Sequence, residues 1–357
     1  MERKNYNVLG IMSGTSLDGV DIAHVILNYN EGKWQYEINK ATTIFYTDEW
    51  VDRLKNGVNL NQEELILLDD DYTILLSSLI KQFITENKID NLDAVCSHGH
   101  TILHQPQNKL TLQIGNQPKL AKLTGQRVVC NFRVQDVEMG GQGAPLVPIG
   151  DRLLFQEYDF CLNLGGFSNI SFEEARQRIA YDICPVNIVL NYYSSQVGLP
   201  YDEDGAIARK GKLIEEMLLQ LNDLDFYKQQ YPKSLGLEYV QREVFPVIDS
   251  FNAPIADKVN TFTIHAAMQI ANEIKNVKEK GCLLVTGGGA YNTFLIEKIK
   301  QLLPDTEVII PDDRTIQFKE ALVFALLGVL RIGGEVNVLS SVTGGKRDHS
   351  AGYIYEP

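Results

Sequence analysis

The 357-residue sequence predicts an α/β protein built as two related lobes. Three observations carry that expectation. The length exceeds that of an ordinary single domain. Three glycine-rich turns, Gly14–Gly19, Gly165–Asn169 and Gly287–Ala290, each follow an apolar, strand-like run. The order of glycine-tipped hairpin, helix and strand appears once in the first part of the chain and again in the second. The boundary is expected near Cys130, giving lobes of residues 1–130 and 131–340, with residues 340–357 returning to the first.

The elements follow in order. Val8, Leu9 and Ile11 lead into the first turn and Val20, Ile22, Ala23, Val25, Ile26 and Leu27 lead out of it, which reads as a β-hairpin. Thr43 to Tyr46 is a further strand. Asn61 and Glu64 have the spacing of a capping box. Leu65, Leu68, Tyr72, Leu75, Leu79 and Phe83 then recur at helical spacing, predicting an amphipathic helix to about Asn87. Leu92 to Cys96 reads as a buried strand delivering Ser97–Thr101 at its C-terminal end, where ligands gather in α/β sheets. In the second part, Phe160–Leu164 and Ile179–Ile183 are strands, and Ile264–Val277 is a helix closed by Gly281. The run Cys282–Val285, the helix from Asn292 to about Leu303 and the strand Val308–Ile310 form a βαβ unit. Glu320 to Leu330 is a buried helix.

Composition narrows the function classes. The net charge of −13 disfavours broad nucleic-acid or anionic-membrane binding. Five scattered cysteines argue for reduced thiols and a cytoplasmic protein. The N-terminus lacks an apolar signal core and no apolar run is long enough to span a membrane.

The first turn, Gly10-Ile-Met-Ser-Gly-Thr-Ser-Leu-Asp-Gly-Val-Asp21, suits a phosphate group. Glycines let an anion approach the backbone, and the hydroxyls of Ser13, Thr15 and Ser16 can donate to its oxygens. Asp18 and Asp21 could hold a hydrated cation beside a nucleotide. The string is not a Walker A loop, and it also reads as an ordinary hairpin turn. Three such turns after three strands point to one nucleotide in a cleft between lobes; they also suit tight turns in any α/β protein. His98-Gly-His100 has the spacing of metal hydrolases, but no further ligand motif accompanies it, so neutral, hydrogen-bonded histidines are expected. Asp182 at a strand end reads either as a general base or as a turn acceptor. Arg133 suits a carboxylate or sugar oxygens, or else pairs with Asp136 at the surface. Glu320, opening a helix, is favoured there by the helix dipole in any case.

These strings together resemble the anhydro-N-acetylmuramic acid kinases, within the acetate- and sugar-kinase, heat-shock and actin ATPase superfamily. The resemblance rests on Gly10–Asp21, His98–His104, Phe132-Arg133 with Asp136, Gly140–Pro145, Leu164–Gly166 with Asn169, and Tyr201–Gly205. It continues through Gly287–Ala290 with Asn292, Glu320-Ala321 with Phe324-Ala325, and Val342–Gly344, covering nearly the whole chain in the family's order. It implies a two-lobed, ribonuclease-H-like ATPase fold with a central nucleotide cleft. It also implies ATP- and Mg²⁺-dependent conversion of 1,6-anhydro-N-acetylmuramic acid to N-acetylmuramic acid 6-phosphate, in murein recycling. Asp182 falls at the family's catalytic Asp. Gly14, Thr15, Ser16, Leu17, Asp18, Gly19, Val20, Asp21, Gly165, Gly166, Asn169, Gly287, Gly288 and Gly289 would bind ATP, with Asp18 reaching the metal through water. His100, Thr101, Arg133 and Glu320 would orient the sugar. Partners are small molecules, with a homodimer as a family expectation. The chain departs from the family where Cys184-Pro185-Val186-Asn187 replaces Gly-Pro-Gly-Asn, and at His100, Asn131 and Phe167-Ser168. Those departures keep two alternatives in view: a kinase for another 1,6-anhydro-sugar, and a non-catalytic ATP- or sugar-binding homologue.

Overall fold

The computed structural model describes residues 4–357. The chain divides into two compact units, residues 1–155 with 318–357, and residues 156–317. The strands in chain order are β1 (Lys4–Ser13), β2 (Gly19–Asn30), β3 (Lys33–Phe45), β4 (Ala94–Gln105), β5 (Leu110–Ile114), β6 (Val128–Cys130), β7 (Phe160–Leu164), β8 (Phe167–Glu174), β9 (Gln177–Pro185), β10 (Gly281–Thr286), β11 (Thr306–Ile309) and β12 (Tyr353–Tyr355).

In the first unit the sheet order is β12-β6-β4-β1-β2-β3, with β5 added to the outer half of β4. β1, β2 and β3 form an antiparallel meander, and β4 and β6 continue it in parallel. Period-two alternation assigns the faces of β1. Leu9 and Ile11 pack in the core that also takes Leu68, Tyr72, Leu76, Ile80 and Phe83 of the helix Gln62–Asn87. Gly10 points the other way, where a Cβ would stand 1.9 Å from the carbonyl oxygen of Ala321. Gly328 meets Cys96 on that same face, where a Cβ would lie 2.1 Å from Sγ. The helix Asp313–Ile332 therefore lies against the sheet at a distance only glycine permits.

The second unit repeats the plan: β7, β8 and β9 are an antiparallel meander, and β10 and β11 continue from β7 in parallel. Each sheet thus has the ribonuclease-H-like order, and the chain is mixed α/β with one sheet per unit, as in the actin-like ATPase fold. Residues of β7–β11 share a core with the helices Asn187–Ser195 and Ile255–Val277.

The division falls at residues 155 and 318, not near 130 and 340. After β6 the chain stays on the first sheet: Gly150 seats against Val323 and the Phe155 ring sits 5.6 Å from that of Tyr36. The chain returns at Phe318, where backbone angles of φ −112° and ψ 15° interrupt the helix Asp313–Ile332. The capping box is present: Asn61 Oδ1 accepts from the Glu63 and Glu64 N–H groups, and Glu64 Oε2 accepts from Asn61 N–H. Several boundaries differ from expectation. β3 starts ten residues before Thr43, because its first half alternates against polar surface instead of forming an apolar run. β4 runs through Ser97–Thr101, pairing β5 where the strand was expected to end. The helix expected at Ile264 starts at Ile255 behind Pro254, and its C-cap is Lys278. Gly281 instead opens β10, where a Cβ would lie 2.7 Å from Asp159 Oδ2.

Candidate active site

In the first unit, the segment from Gly14 to Asp18 joins β1 to β2. The Leu17 N–H donates to the Gly14 carbonyl at 3.3 Å, and Leu17 takes a left-handed φ of 63°. Thr15, Ser16 and Asp18 are exposed. Gly19, Val20 and Asp21 already belong to β2; the Val20 side chain is in the core, and a Cβ on Gly19 would lie 2.4 Å from the Ile44 carbonyl oxygen. Asp21 accepts from Thr43 Oγ1 at 2.5 Å. Burial raises its carboxyl, with Asp18 adding to the effect and Thr43 opposing it.

Ser13 is buried beneath this tip and shares a chain of hydrogen bonds with His100 Nδ1 at 2.8 Å and Tyr46 Oη at 2.7 Å; Tyr46 Oη meets Tyr72 Oη at 2.7 Å. The Tyr46 N–H donates to the Asp18 carbonyl at 3.1 Å, so the chain reaches both limbs of the hairpin. His100 is 2% exposed and burial lowers it to about 4, so it is neutral at ordinary pH. Thr101 lies next to it, half-buried and paired with Gln113 across β4 and β5.

Arg133 and Asp136 do not form a surface pair. Arg133 Nε donates to His98 Nε2 at 2.9 Å, and Nη1 donates to the Gly143 carbonyl at 2.7 Å. His98 Nδ1 donates to the Gly99 carbonyl at 2.9 Å, which leaves Nε2 as the acceptor and fixes a neutral tautomer. Burial and the Arg133 charge hold His98 well below the usual imidazole range. The fully buried Asp136 instead takes the Gly143 N–H at 2.7 Å and the Thr343 hydroxyl at 2.8 Å. The run Gly140–Pro145 wraps this carboxylate so closely that a Cβ on Gly141 would lie 2.2 Å from Asp136 Oδ2. Glu320 lies just beyond the break at Phe318, and the protein around its carboxyl raises it by desolvation against the opposing pull of Arg133. Burial lowers Arg133 to about 10, so it stays charged at neutral pH. Asp21 and Arg133 are therefore each within electrostatic reach of Glu320.

In the second unit, the Gly165-Gly166 turn joins β7 to β8. The Gly166 carbonyl accepts from Val186 N–H at 2.8 Å and the Gly165 carbonyl from Asn187 N–H at 3.2 Å, tying the start of the helix Asn187–Ser195 to the turn. Gly287 follows β10 at φ 82° and ψ 166°, a region open only to glycine, and a Cβ there would lie 2.6 Å from Asn163 Oδ1. The second and third glycine turns thus meet, because β7 and β10 run parallel and end together. The exposed Asn169 stands across β8 and β9 from Asp182, where Ile183 is an extra residue in the β9 register. Asp182 Oδ2 accepts the Leu235 N–H at 2.9 Å, and that is its one side-chain hydrogen bond among the described residues. Burial raises its carboxyl, with the Leu235 bond opposing. Of the two positions in the 184–187 turn where the family has glycine, Cys184 is in β9, and Val186 has φ −133° and ψ −93°, outside the left-handed region.

A cavity of about 500 Å³ opens beside Gly288 and Gly289, flanked by Tyr201, Tyr291, Asn187, Asn191 and Glu203. Apart from the string containing Tyr201, sequence reasoning gave these flanking residues no part, because they come from three separate segments. His98 was missed as a partner of Arg133 for the same reason. Among the described residues no cluster of three metal-ligating side chains occurs.

The family profile of anhydro-N-acetylmuramic acid kinase matches residues 6–357. A relative of that name from Actinobacillus pleuropneumoniae serotype 7 (strain AP76) is 34% identical, covering 97% of this chain and 98% of its own. Those from Aliivibrio fischeri (strain ATCC 700601 / ES114) and Bacillus cereus (strain 03BB102) are 33% and 30% identical, each over at least 97% of both chains. The chain belongs to the anhydro-N-acetylmuramic acid kinase family.

Proposed function

We propose that this protein uses ATP and water to open 1,6-anhydro-N-acetylmuramic acid and phosphorylate O6, giving N-acetylmuramic acid 6-phosphate and ADP for murein recycling. The observation that carries the reading is Asp182: a carboxylate raised by burial, with one oxygen held by Leu235 N–H and the other left for a water. In the reaction, water oxygen attacks C1 as the C1–O6 bond breaks through an oxocarbenium-like state. Asp182 takes the water proton, and its raised carboxyl makes it a better base than an exposed aspartate. The departing O6 attacks the γ-phosphorus and ADP leaves, so the phosphoryl group replaces the proton that a glycosidase acid would supply.

The other residues fit supporting roles. The fork of Arg133, oriented by neutral His98 and Gly143, suits the lactyl carboxylate or sugar oxygens, with Glu320, Thr101 and His100 completing that group. The exposed hydroxyls and N–H groups of Gly14–Asp18 suit phosphate, as do the Gly165-Gly166 and Gly287–Gly289 turns with Asn169. The 500 Å³ cavity has the size for adenosine, with two tyrosines for stacking, asparagine amides for the base, and Glu203 and Asp204 for the ribose. Asp18 and Asp21, beside the proposed phosphate loop, would help hold a hydrated Mg²⁺ brought in with the nucleotide. When bound, that ion neutralises the charge of the transferring phosphoryl group.

Cysteines held as thiols rather than disulfides fit a reducing cytoplasm, and a homodimer belongs to the same family reading. No helix among the described residues is long and apolar enough to cross a membrane. The test is incubation with ATP, Mg²⁺ and a panel of 1,6-anhydro-sugars with and without the lactyl group. The expected result is stoichiometric ADP and 6-phosphate with a strong preference for the lactyl sugar. No turnover on any anhydro-sugar would reject the proposal.

A further inference from the structure

The carboxylate of Asp182 is held from outside its own strand. Residues Lys233–Leu235 run alongside β9: the Asp182 N–H donates to the Lys233 carbonyl at 3.1 Å, and the Leu235 N–H returns to Asp182 Oδ2 at 2.9 Å. The anchor of this segment is an ion pair. Lys233 Nζ meets Glu273 Oε1 at 2.6 Å, with the lysine side chain 2% and the glutamate 19% exposed. Glu273 belongs to the helix Ile255–Val277. Its second oxygen accepts from Tyr181 Oη at 2.9 Å, so one carboxylate grips both the segment that bonds Asp182 and the residue immediately before it. The ammonium lies 5.6 Å from the Tyr181 ring centre and 5.1 Å from that of Phe226. Tyr181 in turn stacks on Tyr231 at 5.1 Å, two residues ahead of Lys233.

A buried ammonium is a poor route to stability, since desolvation offsets most of its attraction. Its placement here makes more sense as a device for geometry. We infer that Lys233, through its buried pair with Glu273, is a positioning residue that sets the Leu235 N–H against Asp182 and thereby aims the carboxylate at the attacking water. The inference rests on the reading of Asp182 as the base. The titratable groups facing this arrangement are Tyr181 and Cys184 on β9, Glu174 on β8, Glu273 on the helix, Tyr227, Tyr231 and Lys233 itself. Burial pushes the Cys184 thiol up to about 12, so it stays protonated beside Asp182.

The test uses the full chain with Lys233→Met, Lys233→Arg and Glu273→Gln, followed by amide exchange at Leu235 and by the pH profile of kcat. In Lys233→Met the segment loosens, exchange at Leu235 quickens roughly tenfold or more, and kcat falls by roughly 10- to 100-fold with KM for ATP unchanged. The acid limb of the profile moves to higher pH, because the Leu235 bond is what favours the ionised carboxylate. Lys233→Arg restores most of kcat and the parent limb. Unchanged exchange and an unmoved limb in Lys233→Met overturn the inference. Should that variant fail to fold, Glu273→Gln removes the charge and keeps one acceptor oxygen for Lys233 Nζ, while its NH2 can no longer accept from Tyr181 Oη. Faster exchange at Leu235 and a raised acid limb in Glu273→Gln then support the inference, and parent values of both overturn it. Exchange at Leu235 reads the inference separately from the base assignment, which near-parent turnover by Asp182→Asn refutes.

Discussion

Removing the imidazole of His98 tests whether Arg133 is aimed by a neighbour or simply points where it must. Arg133 has two anchors, the His98 ring at 2.9 Å and the Gly143 carbonyl at 2.7 Å. His98→Ala deletes the first and leaves the guanidinium free to swing about the second. A hydrogen bond to a charged group contributes about 1.5–3 kcal/mol, which corresponds to roughly 10- to 150-fold in kcat/KM for the sugar. The loss is expected on the sugar side alone, because the residues proposed for ATP do not touch this pair. His98→Gln supplies an acceptor oxygen near the position of Nε2 and is expected to recover most of the loss. Because burial and Arg133 keep His98 neutral, the effect is expected to be flat across the neutral and mildly alkaline range. Steady-state kinetics with either substrate varied give the answer. Parent kcat/KM for the sugar in His98→Ala, or an equal loss in KM for ATP, refutes the reasoning.

Other changes have equally definite outcomes. Asp182→Asn is expected to bind ATP normally by calorimetry and to lose ring opening by orders of magnitude. The same variant tests linkage: burial raises the Asp182 carboxyl, so the fold favours its neutral form and is penalised above that raised value. Asp182→Asn should therefore melt above the parent at neutral pH, with the gap closing as pH falls through the raised value toward the ordinary aspartate range. Gly10→Ala places a Cβ 1.9 Å from the Ala321 carbonyl oxygen and is expected to cost about 3 kcal/mol or more, read as a lowered denaturant midpoint. Gly287→Ala forces a side chain into a glycine-only conformation, 2.6 Å from Asn163 Oδ1, at a cost of about 1–3 kcal/mol; its KM for ATP should rise with KM for the sugar unchanged.

Local signals in the chain translated well into structure. The capping box at Asn61 and Glu64 needs only four consecutive residues, and both of its hydrogen-bond sets are present. β7 ends where its apolar run ends. Signals that depend on distant partners did not translate. Thr343 and Asp136 are 207 positions apart, and nothing in either neighbourhood announces their bond. The first unit keeps residues 131–155 because Gly150 and Phe155 find partners on elements far away in sequence, which a change of composition near Cys130 could not reveal. The helix Asp313–Ile332 was legible only from Glu320, where the largely apolar run from Ala321 to Leu330 begins. Of the site, the sequence offered candidate residue types in glycine-rich and charged strings. The neutral tautomer of His98, the burial of His100 and the hold of Leu235 on Asp182 required the fold.

The central claim is tested most directly by one single turnover in ¹⁸O-enriched water with ATP and 1,6-anhydro-N-acetylmuramic acid. Water attack at C1 assisted by Asp182 predicts one ¹⁸O on C1 of the sugar 6-phosphate and none in its phosphoryl group. Label in phosphate, or ATP consumed without label at C1, contradicts it.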